Sequence, residues 1–143
     1  MIKKINFQYI ISYLGLIPYF IILIDKFFFL LIKKEITLNF ALYYTLIICV
    51  FIGAINWSFE KKVSNYLLFY GFFPSIFAVI IIILNLYSFN ITVIFLFLII
   101  FLIIQLFLDY FIVFVNFLNK KTFYFLRLPL TILISLTLII LQL

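Results

Sequence analysis

Residues 5–24 and 36–59 contain no charged side chain, and residues 63–108 form a third charge-free stretch that ends at Asp109. Crossing the hydrocarbon core of a bilayer takes about 20 mostly apolar helical residues, so the first two stretches each supply one span. The third is too long for one crossing and suits two, joined by a short turn around Tyr87, Ser88, Phe89 and Asn90. A last apolar segment runs from about Thr122 to Leu143. Unbroken runs such as 79–84 and 98–104 lack the in/out alternation of a barrel strand, which leaves helices. The expected architecture is all-α, a polytopic integral membrane bundle of about five transmembrane helices. They cover about 6–24, 36–58, 66–86, 91–116 and 122–142 of a single membrane domain, 1–143.

Composition closes the alternatives. Of the 143 residues 70% are hydrophobic and 10% charged, against about 45–50% and 25% in soluble domains. A chain this short has too little interior to hide that excess from water, and disordered chains are polar and poor in aromatics. No histidine is present and Cys49 is the only cysteine. An internal disulfide, a His/Cys zinc site and a histidine-dependent triad are thereby excluded. Gly15, Gly53 and Gly71 stand too far apart for a phosphate-binding loop, so neither a cofactor nor a metal is expected. The formal charge is +6, but the basic residues sit in pairs beside apolar runs and form no continuous stripe. Nucleic acid is therefore not an expected partner. The bilayer is, together with a further copy of the chain or a larger membrane-protein complex.

Lysine placement orients the spans. With an odd number of crossings, one side carries Lys3, Lys4, Lys61, Lys62, Lys120, Lys121 and Arg127. The other carries Lys26, Lys33 and Lys34, offset by Asp25 and Glu35. The amino terminus is expected in the cytoplasm and the carboxyl terminus outside. The apolar run after Lys4 exceeds a signal-peptide core and is followed by no small-x-small site, so it reads as a retained helix.

Helices that meet in lipid present small and polar residues to one another. Such stripes recur at helical spacing: Gln8, Ser12, Gly15 and Tyr19; Thr45, Cys49, Gly53 and Asn56; Gly71, Ser75, Ala78 and Asn85; Gln105 and Asp109; Arg127, Thr131 and Ser135. The plain reading of each is helix packing, with Gly15, Gly53 and Gly71 as points of close approach. Asp109 demands more. As the one acid inside a predicted span, it costs on the order of 3 kcal/mol on the insertion scale. Arg127 lies as far beyond a turn near Leu118 as Asp109 lies before it, and its guanidinium offers a bidentate partner for a carboxylate. An Asp109–Arg127 ion pair is expected in the cytoplasmic half of the membrane. Similar counting brings Asn56, Trp57, Pro74 and Ser75 to that depth, with Gln105 and Thr131 on the flanking turns. Trp57 reads as an interfacial or core aromatic before it reads as substrate-facing. Pro18, Pro74 and Pro129 fall inside predicted helices, where a missing N–H frees a carbonyl; Pro18 should bend the first helix. Pro129 also suits a helix start.

Ile, Phe, Lys, Asn and Tyr share A/T-rich codons, so coding bias accounts for much of their abundance. The glycines, prolines, Trp57 and Arg127 then carry the information, and they fall in a series. It runs Gly15-Leu16-Ile17-Pro18-Tyr19, Phe51-Ile52-Gly53-Ala54-Ile55-Asn56-Trp57, Phe73-Pro74-Ser75, Gln105-Leu106-Phe107-Leu108-Asp109 and Tyr124-Phe125-Leu126-Arg127-Leu128-Pro129-Leu130-Thr131. In order and spacing this resembles, over nearly the whole chain, the membrane family that contains animal transmembrane protein 69, catalogued as domain of unknown function 3429. The resemblance implies a small multi-pass protein of the bacterial inner membrane, or of the mitochondrial inner membrane in a eukaryote, and brings no activity. Family members often carry histidine before the tryptophan, where this chain has Asn56. An amide hydrogen-bonds but does not titrate near neutral pH, so a proton-transfer role of that histidine, if the family has one, does not carry over to Asn56.

Three functions compete. A non-enzymatic component of a membrane assembly needs only the buried pair to fix its helices. A small transporter or proton-coupled carrier would titrate Asp109 and, at this length, act as a homo-oligomer. A lipid-handling enzyme is the weakest: one intramembrane acid is too few for metal-dependent phosphotransfer, and no general base stands near Ser58, Tyr70 or Ser75.

Overall fold

The structure, a computed structural model, describes residues 7–54, 65–113 and 122–143. Five helices in it are long and apolar enough to cross a membrane: Tyr9–Phe29, Lys34–Ala54, Asn65–Leu86, Ile91–Ile112 and Phe123–Gln142. The expected Asn56 and Trp57, and the lysines at 3, 4, 61, 62, 120 and 121, lie outside the described residues.

The first span is built in pieces. Helix α1 (Phe7–Leu14) is separated from α2 (Ile17–Ile24) by a turn at Gly15 and Leu16. Pro18 therefore does not kink a helix interior. It stands in the first turn of α2, where its missing N–H would have had no helical partner in any case. The break leaves the Gly15 carbonyl free to accept a hydrogen bond from the Tyr44 hydroxyl of the second span, at 2.8 Å.

The span also runs past residue 24, as a π-helical turn over Asp25–Phe29. Asp25 is not the loop charge that its sequence position implies. It is 7% exposed, and its carboxylate accepts from the N–H groups of Leu31 at 3.2 Å and Ile32 at 3.1 Å. Two backbone donors replace the water that an exposed carboxylate would hold. Asp109 is consequently not the one acid buried within the spans.

Helix α3 (Lys34–Ala54) and α4 (Asn65–Leu86) form the second and third crossings. Between α4 and α5 (Ile91–Leu108) the chain reverses where the Tyr87-Ser88-Phe89-Asn90 turn is expected. Ser88 adopts a left-handed conformation with φ 56°. The N–H of Phe89 then reaches the Leu84 carbonyl and that of Ser88 the Asn85 carbonyl, the paired bonds that close a helix end. Asn90 caps α5, its side-chain oxygen accepting from the Thr92 N–H at 2.9 Å. The fourth span continues as a π-helical turn, Asp109–Val113. The fifth begins with another, Phe123–Arg127, before α6 (Leu128–Gln142). Pro129 sits in the first turn of α6, but the helical chain of the π turn precedes it, so it lies inside the fifth span, as the sequence first suggests, and not at a helix start.

Packing follows the stripes. Tyr19, Thr45, Cys49, Gly53, Gly71, Ala78, Gln105, Asp109, Arg127 and Thr131 are all buried, whereas Ser12, Gly15, Ser75 and Asn85 are half-buried. The apolar core that surrounds them is centred on Leu42, Ile94, Phe95, Leu98, Leu102 and Leu138. Large apolar side chains such as Phe28, Phe51, Phe69 and Phe107 point outward, as a lipid-facing surface requires. Helices α3 and α4 approach closely at Gly53. A Cβ built on Gly53 would stand 2.5 Å from the Gly71 carbonyl oxygen and 2.9 Å from Pro74 Cγ. Pro74, inside α4, thus packs its ring where a side chain at residue 53 would go.

Spans one and five run parallel. Tyr9 donates to Thr122, Tyr13 to the Phe125 carbonyl, and Lys26 to the Ile140 carbonyl. The second of these bonds has a cause in sequence. In an α-helix the Phe125 carbonyl would accept from the N–H of residue 129, which proline lacks, and the Tyr13 hydroxyl takes its place.

Candidate functional site

Asp109 and Arg127 meet. Arg127 Nε donates to Asp109 Oδ2, with side chains 9% and 3% exposed respectively. The contact is made through Nε alone, not in the bidentate form expected, because the other carboxylate oxygen is taken: the Tyr70 hydroxyl donates to Asp109 Oδ1. Both oxygens of the acid are therefore engaged, one by a cation and one by a neutral donor. That satisfies the requirement that a charge withdrawn from water be paired and hydrogen-bonded.

Local backbone geometry aims these groups. Asp109 opens one π-helical turn and Arg127 closes another. The wider turn rotates the residues at its boundary relative to the α-helix beside it, and such turns gather at sites where a side chain must be re-aimed. Asp25, the third buried charge among the described residues, opens a further π turn.

Gln105, one turn before Asp109, is 2% exposed. Its Nε2 donates to the Cys49 carbonyl of α3 at 3.3 Å, and its own carbonyl lies 3.2 Å from the Tyr70 hydroxyl. The cluster thus links α3 through Cys49, α4 through Tyr70, the fourth span through Gln105 and Asp109, and the fifth through Arg127. Two atoms are left over: Gln105 Oε1 and Arg127 Nη2 are buried without a hydrogen-bond partner among the described residues.

Other expected members behave differently. Thr131 is buried but turns back on its own helix, donating to the Arg127 carbonyl at 3.0 Å. Ser75 is half-buried, and no hydrogen bond joins it to Asp109 or Arg127. Pro74 lines a small apolar hollow of about 20 Å³ with Tyr70, Phe101 and Gln105, one helical turn from the pair. Tyr70 is the member that sequence counting misses, since it weighs that residue only as a nucleophile. The signal lay in spacing: Tyr70, Pro74, Ala78 and Ile81 are buried on one face of α4, so the Gly71-Ser75-Ala78 stripe needed widening by one residue, to Tyr70 beside Gly71.

No protein-family model, curated protein or solved structure matches the chain.

Proposed function

We propose that this protein is a non-enzymatic component of a membrane assembly, a five-span bundle whose Asp109–Arg127–Tyr70 cluster pins its helices in one arrangement. The observation that carries this reading is the full engagement of the Asp109 carboxylate by Arg127 and Tyr70. An acid held on both oxygens inside apolar packing serves register and helix choice, a role buried ion pairs fill elsewhere. Its location is an inner membrane, bacterial or mitochondrial, with the paired lysines of residues 3, 4, 61, 62, 120 and 121 on the cytoplasmic or matrix side. Membership of the transmembrane protein 69-like family is part of the proposal and rests on motif order alone. The test exchanges the charges, Asp109→Arg with Arg127→Asp. A pinning pair predicts that the exchanged chain folds and keeps the oligomer or complex recovered from mild detergent. Retained folding with a lost assembly would sink the reading.

One observation favours a second reading, a small proton-coupled carrier acting as a homo-oligomer. The unpartnered Gln105 Oε1 and Arg127 Nη2 offer an acceptor and a donor to a small polar guest near the acid. On that reading proteoliposomes carry a pH-driven flux that Asp109→Asn abolishes. On the structural reading no such flux depends on Asp109.

A further inference from the structure

The opposite end of the bundle holds a second concentration of charge, independent of Asp109. Lys26 and Lys34 line a pocket of about 200 Å³ whose remaining walls are mostly apolar, Leu30, Ile32, Leu38 and Leu141 among them. Neither lysine is held in an ion pair among the described residues, although Asp25 and Glu35 are their neighbours in sequence. Among the described residues the one ion pair is that of Arg127 with Asp109. Asp25, adjacent to Lys26 in sequence, has committed its two oxygens to the backbone of Leu31 and Ile32. Lys26 instead donates to the Ile140 carbonyl.

Two ammonium groups sharing one apolar-walled pocket call for an anion. The depth decides which kind. Lys26 lies in the last turn of the first span and Lys34 opens the second, the level at which lysines reach toward lipid headgroups. The Leu30 and Ile32 walls are open to the surroundings, where a hydrocarbon chain but not a free ion gains from contact. We propose that this pocket binds an anionic phospholipid, its phosphate between Lys26 and Lys34 and an acyl chain over Leu30 and Leu38. Lys33 belongs to the same loop and is exposed, but it does not line the pocket, which makes it the internal control for general attraction between a basic loop and acidic lipid.

The test is lipid binding by the full chain in a neutral detergent, read by native mass spectrometry and by the unfolding midpoint. Phosphatidylglycerol, phosphatidylcholine and inorganic phosphate are added separately. Phosphatidylglycerol should remain bound and raise the midpoint, while the other two do neither. The double variant Lys26→Gln with Lys34→Gln should lose at least about tenfold in phosphatidylglycerol affinity, as expected for two lysines near a charged headgroup. Lys33→Gln should retain it. If the double variant does not fold, Lys34→Gln alone serves, since that exposed side chain makes no hydrogen bond among the described residues, and a loss of about threefold or more is expected. Equal binding of phosphatidylcholine, a midpoint shift reproduced by inorganic phosphate, or an equal loss in Lys33→Gln overturns the proposal.

Discussion

Gly53→Ala adds a single methyl group where α3 and α4 meet without room for one. The new Cβ would meet the Gly71 carbonyl oxygen at 2.5 Å, Pro74 Cγ at 2.9 Å and Pro74 Cδ at 3.3 Å. Ordinary carbon-to-oxygen contacts between helices lie at about 3.3–3.6 Å, so α3 and α4 must separate locally by about 0.8 Å or more. Neither obstacle can swing aside, because one is backbone and the other a proline ring. Overpacking of this kind costs about 1–3 kcal/mol. Alanine recovers up to about 1 kcal/mol of helix propensity over glycine, and a rigid contact belongs in the upper part of the first range. The net loss expected is about 1–2 kcal/mol, read as an earlier unfolding midpoint when the denaturing detergent fraction of mixed micelles is raised. Gly15→Ala is the matched control: its Cβ would lie 3.1 Å from the Ser12 carbonyl and 4.0 Å from the Tyr44 hydroxyl, so a small adjustment accommodates it. If Gly53→Ala unfolds within about 0.5 kcal/mol of the parent, or no earlier than Gly15→Ala, the close α3–α4 approach is wrong.

Two further outcomes follow from the polar contacts. Tyr70→Phe removes the neutral donor to Asp109 while leaving the ring in place, and should cost about 1.5–3 kcal/mol in the same unfolding assay, the range for hydrogen bonds to charged groups. Tyr13→Phe should cost about 1 kcal/mol by stranding the Phe125 carbonyl. Most of that cost should vanish in a Pro129→Ala background, where residue 129 regains an N–H, and a cost independent of residue 129 would refute the link.

How much of this could be read in the sequence depends on range. The five crossings follow from hydrophobic length, and the α4–α5 turn from Ser88, Phe89 and Asn90, because bilayer thickness and local turn chemistry are set by a few adjacent residues. The meeting of Asp109 with Arg127 follows from equal spacing about a turn, a long-range inference made safe by the cost of leaving either charge alone. What escaped depended on backbone detail. Nothing in the pattern marks the π-helical turns that bound Asp25, Asp109 and Arg127. The inward Asp25 reads as a loop charge until the left-handed Leu30, with φ 53°, brings the following N–H groups back over it. The single-point contact through Arg127 Nε was likewise hidden, since it depends on Tyr70 reaching across from a neighbouring helix.

The central claim, that Asp109 and Arg127 act as one buried unit, is tested most directly by a double-mutant cycle. Asp109→Ala, Arg127→Ala and the combined variant would be compared by unfolding in mixed micelles. Each single substitution strands a buried charge and should cost about 3–5 kcal/mol. The double variant strands none, so it should cost less than the sum by about 2–3 kcal/mol of coupling. Additive costs, with coupling under about 0.5 kcal/mol, would show that the two charges do not depend on each other.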